Sequence, residues 1–75
     1  MKDIKEYIQG KINECESRSL NWEEKIQSAT VYMKNAQTDE DIERLKFERL
    51  QCIAKKNELL AVSDFCNELL GEYFD

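Results

Sequence analysis

The sequence predicts an all-α protein, an antiparallel hairpin of two long helices that dimerises into a four-helix bundle. Three observations carry this expectation. Pro is absent and Gly occurs only twice in 75 residues, so the usual helix breakers are missing. Apolar residues recur at helical spacing along most of the chain. One boundary, Asn35-Ala36-Gln37-Thr38-Asp39-Glu40-Asp41, splits the chain into two segments of similar length.

The first helix is expected over 2–36. Ile4, Ile8, Ile12, Cys15, Trp22, Ile26, Ala29, Met33 and Ala36 fall on one side of a 3.6-residue repeat, and Tyr7 and Tyr32 edge the stripe. Leu20 and Val31 point away. Helix propensity is weakest across Arg18-Ser19-Leu20-Asn21, and Asn21 followed by Glu24 resembles a capping box. Two readings follow: one continuous helix, or a kink or break at 18–21 that yields a three-helix bundle. The unbroken phase of the stripe favours the continuous helix.

The turn is expected at 36–38. Thr38 is a good N-cap, and Asp39, Glu40 and Asp41 occupy the first turn, where the helix dipole favours acids. The second helix then runs over 39–73, and 1–75 forms a single domain. Its apolar pattern is broad. Ile42, Leu50, Ile53 and Leu60 mark one face, and Leu59, Cys66, Leu70 and Tyr73 mark another. Phe47, Ala54, Ala61 and Phe65 widen the arc further. A helix apolar over so much of its circumference must be covered on more than one side. A turn centred near Gln37 pairs positions whose numbers sum to about 75, placing Trp22 against Leu50 and Ile53.

Charge is blocked rather than mixed. The net charge of −5 comes from 11 basic and 16 acidic residues, and all of it lies in the second half. Residues 38–43 are acidic, 44–56 are basic through Arg44, Lys46, Arg49, Lys55 and Lys56, and 57–75 are acidic again. Asp64, Glu68, Glu72 and Asp75 form an acidic ridge towards the C-terminus. With Tyr73 and Phe74 as exposed aromatic anchors, this ridge is the candidate partner-binding site. A basic or nucleic-acid-binding protein fits it. The basic block is expected to pair with acids of the facing helix such as Glu23 and Glu24. Direct nucleic-acid contact by the acidic chain is not expected.

An enzyme is not expected. His, the commonest general base, is absent, and no Gly-rich loop could cradle a phosphate. No metal or cofactor is expected either. Cys15, Cys52 and Cys66 are odd in number and lack metal-ligand spacing. Cys52 and Cys66 on one helix stand roughly 21 Å apart, so free thiols in a reducing cytoplasm are expected. The charged N-terminus does not look like a signal peptide, and no membrane span is expected.

By elimination the expected function is protein binding: a small module that regulates or inhibits a larger protein by docking a helical face. Small acidic inhibitors of host nucleases and defence proteins in phages and mobile elements offer an analogy of size and charge alone. The alternative is a structural coiled-coil homodimer that serves as an assembly or scaffold piece. A third reading is a small transcriptional regulator with a helix-turn-helix near 17–36, which the neutral charge of that segment disfavours.

Overall fold

The computed structural model describes residues 3–74, which form two helices and no strand. Helix α1 spans Ile4–Asn35 and helix α2 spans Asp39–Tyr73. They lie antiparallel as a rod of 54 × 18 × 16 Å.

Local chemistry sets the helix ends. Asp3 caps α1, its Oδ1 accepting from the Lys5 backbone N–H at 3.3 Å. Thr38 caps α2, where Oγ1 accepts from the Asp41 N–H at 3.1 Å. Each side-chain oxygen satisfies a donor that has no partner within its own helix. At the C-terminus of α2 the Phe74 N–H donates to the Leu70 carbonyl at 3.1 Å.

Helix α1 runs through 18–21 without a break, so the three-helix alternative does not occur. Ser19 explains why. It is buried on the inner face, and its hydroxyl donates to the Glu16 carbonyl at 2.8 Å. The hydroxyl is thus satisfied one turn back and the helix continues. Asn21 sits in mid-helix rather than at a cap. The same continuity removes the helix-turn-helix reading, because 17–35 is all one helix.

Both helices present a heptad seam. On α1 it is Ile8, Ile12, Cys15, Ser19, Trp22, Ile26, Ala29 and Met33, all buried or half-buried. On α2 it is Ile42, Leu45, Arg49, Cys52, Lys56, Leu59, Ser63, Cys66 and Leu70, again all buried or half-buried. Alternating steps of three and four residues keep each seam facing its neighbour. The open end of the hairpin holds the main apolar cluster, Ile8, Ile12 and Cys66, against which Leu69, Leu70 and Phe74 pack.

Two cross-helix bonds join the seams. Lys56 Nζ lies 2.7 Å from Glu23 Oε2, and Arg49 Nε–H donates to Thr30 Oγ1 at 3.1 Å. Both pairs sum to 79, but they join long side chains that reach about a turn along the helix; Ala29 and Leu45, and Ser28 and Glu48, line one groove between the helices, which keeps the expected register near 75. Two expectations are corrected. Leu50 is 61% exposed and lies outside the seam, whereas Leu45 is buried at 9%. Ile4 shares the helical phase of the α1 stripe but is 65% exposed, because it sits at the open end, level with the end of α2.

Candidate interaction surface

Residues two apart on a helix point to nearly opposite sides. Phe47 follows the seam residue Leu45 by two, Leu50 and Ala54 flank Cys52 by two, Ala61 follows Leu59, and Phe65 follows Ser63. These five therefore form a second apolar strip on the outer side of α2, turned away from α1. All five are exposed, with Phe47, Leu50 and Phe65 at 60–61%. The strip keeps steps of three, four, seven and four, the spacing that a further helix would engage.

Around the strip the charges stay in blocks. Asp64 and Glu68 border Phe65, and both are exposed, as is Glu72. Among the described residues no lysine or arginine forms an ion pair with any of these three acids. The sequence-predicted ridge thus stands free on the surface over 64–72. Asp75 lies outside the described residues. Tyr73 is 71% exposed, as an anchor needs. Phe74 is not free in the same way: it is half-buried and packs on the Ile8, Ile12 and Cys66 cluster. Its ring closes the end of the hairpin, because the backbone turns out of the helix there and directs it inward.

The basic block splits into two sets. Arg49 and Lys56 occupy seam positions and are consumed within the hairpin. Thr30 both accepts from Arg49 and donates to the Ile26 carbonyl at 2.9 Å, so that polar layer is satisfied. The hydrogen bond from Lys56, and then its charge, hold the Glu23 carboxyl below its usual 4.5. Arg44, Lys46 and Lys55 remain outside, each more than half exposed and held only by loose pairs within the same helix: Arg44–Asp41 at 3.7 Å, Lys46–Glu43 at 3.7 Å and Lys55–Glu58 at 3.9 Å. Exposed pairs of this length stabilise little.

Trp22 is half-buried at the edge of the seam, and the Lys25 ammonium sits 4.3 Å from its ring centroid. Cys15 and Cys66 are buried, Cys52 is half-buried, and all three are free thiols. Among the described residues no three His, Cys, Asp or Glu side chains gather where they could hold a metal ion. No helix among them is long and apolar enough to cross a membrane.

The sequence signalled the strip only in part. Phe47, Ala54, Ala61 and Phe65 are visible as an extension of the apolar arc. Leu50 joins them only once its 61% exposure places it outside the seam. Comparisons with protein-family models, curated proteins and solved structures find no match to this chain.

Proposed function

We propose that this chain is a non-catalytic protein-interaction module whose working surface is the outer face of α2. The observation that carries this reading is the strip Phe47, Leu50, Ala54, Ala61 and Phe65, five exposed apolar positions at heptad-like spacing on a helix already satisfied on its other side. Isolated exposed apolar residues are ordinary, but apolar residues repeated at helical spacing, here interrupted at mid-strip by Glu58, are the imprint of a partner helix. The acids Asp64 and Glu68 at one end of the strip favour a partner that carries basic residues at that level. Three free cysteines fit a reducing compartment such as the cytoplasm. The absence of histidine from the sequence leaves acid–base chemistry without its usual agent.

A photo-cross-linking amino acid placed at Ala54, in the middle of the strip, tests the assignment against the same group at the exposed Lys34 on α1. Protein adducts from position 54 and few or none from 34 are the expected result. Equal yields from both positions, or no adduct from 54, would refute the assignment.

A further inference from the structure

We infer that the outer strip of α2 is occupied by a second copy of the same chain, packed antiparallel about a two-fold axis level with residue 56. The inference rests on the strip being a working interface, and it adds the identity and orientation of the occupant. Pattern and charge point to it together. A two-fold at this level pairs positions whose numbers sum to about 111 or 112, which sets Phe47 opposite Phe65, Leu50 opposite Ala61, and Ala54 opposite Asn57 and Glu58. Every large apolar residue of the strip then meets an apolar residue of the other copy: Leu50 meets Ala61, and two Phe47–Phe65 pairs close the ends.

The same arrangement brings opposite charge together. Lys46 comes within two residues of the level of Asp64 of the second copy, on the same flank of the strip, and the two-fold repeats the pairing. The segment 44–56, whose outward charges are Arg44, Lys46, Lys55 and Glu48, therefore lies along the segment 56–68, whose only charged residues beyond Lys56 are Glu58, Asp64 and Glu68. A parallel pairing of the two α2 helices would instead lay the basic segment level with the basic segment and the acidic with the acidic. Like charges at such positions oppose association, so the blocked pattern selects the antiparallel form. Glu43 comes level with Glu68, a like pair that limits the contact to the apolar stretch.

The contact covers roughly 27 Å of helix, an area well below that of a standard stable interface, so the dimer is weak and forms in roughly the micromolar to millimolar range. Its charge pairs make it weaker in high salt. The two outer α1 helices and the Glu72–Tyr73 end of the ridge are left uncovered.

Sedimentation equilibrium over a concentration series, on the chain, on Lys46→Glu, on Asp64→Lys and on the double variant, tests this. Both sites are exposed, so helicity measured in the same samples should stay unchanged; Asp64→Asn provides a milder single change. Each reversal is expected to weaken dimerisation roughly tenfold, and the double variant to recover most of that loss. In the dimer, the cross-link from position 54 should map to residues 57–58 of the second copy. A chain that remains monomeric at millimolar concentration overturns the self-pairing; adducts from 54 with a different protein would then leave the broader interaction reading standing. A dimer indifferent to both reversals, or one in which the double variant is no better than the singles, overturns the antiparallel arrangement.

Discussion

Ile12 and Ile4 belong to one sequence stripe, yet the structure separates them, and replacing each by Ala measures that separation. Ile12 is 3% exposed, the most buried apolar residue of the seam, whereas Ile4 is 65% exposed. Truncating Ile12 removes three carbon groups from a dry environment, worth roughly 2.4 kcal/mol at about 0.8 per group. A cavity term adds to this, but a two-helix seam lies one layer from water and can partly collapse. The expected cost is about 2.5–3 kcal/mol, close to half of what a chain of this length typically has. In a domain of this size that lowers Tm by roughly 10–20 °C. Ile4→Ala should cost at most about 0.5 kcal/mol, in the range of surface changes. Urea unfolding followed by helicity, at concentrations too low for self-association, measures both. Equal losses from the two variants, or a loss below about 1 kcal/mol for Ile12→Ala, would refute the packing argument.

Three more predictions follow from the same geometry. Leu45→Ala should destabilise the hairpin by about 2 kcal/mol, while Leu50→Ala leaves monomer stability within about 0.5 kcal/mol, as urea midpoints of the two will show. Thr38→Ala removes the cap of α2 and should cost about 1 kcal/mol, much of it recovered by Thr38→Asp, checked by the same unfolding curves. The Glu23 carboxyl is held below 4.5 by Lys56, so its contribution is present above the unfolded value and is lost as pH falls through the lower folded one. Acidification from pH 7 to below 4 should therefore lower the urea midpoint of the native chain more than that of Glu23→Gln, and identical shifts would show that the pair contributes nothing.

What was legible in the sequence was local. The two helices, the turn and the Thr38 cap depend on neighbouring residues, and the absence of proline made them plain. The α1 seam was legible almost entirely; only Ser19 was passed over, being polar, and Ile4 was included although nothing lies over it. The α2 seam was harder because Arg49, Lys56 and Ser63 occupy every second position in its middle. Long cationic side chains bury their stems and keep their heads in polar company, here Thr30 and Glu23, so a seam can carry two cations and still pack. Reading hydrophobicity alone gave weight to Leu50 and missed Leu45. The acidic ridge was legible as a solvated face over Asp64, Glu68 and Glu72. Phe74 was not, because its inward direction comes from the backbone leaving the helix, which no side-chain pattern records.

On the proposed reading α2 carries two seams with different tasks, one for α1 and one for another chain. The most direct test is sedimentation of Phe47→Ser/Phe65→Ser beside the native chain across one concentration series, with helicity and urea midpoint read in parallel. The native chain should rise from 8.9 kDa towards twice that mass. The double variant should stay at the mass of one chain, with the dilute-solution helicity and urea midpoint of the native hairpin. A variant that unfolds as Leu45→Ala is expected to, or one that dimerises as well as the native chain, would contradict the division of α2 into an inner and an outer seam.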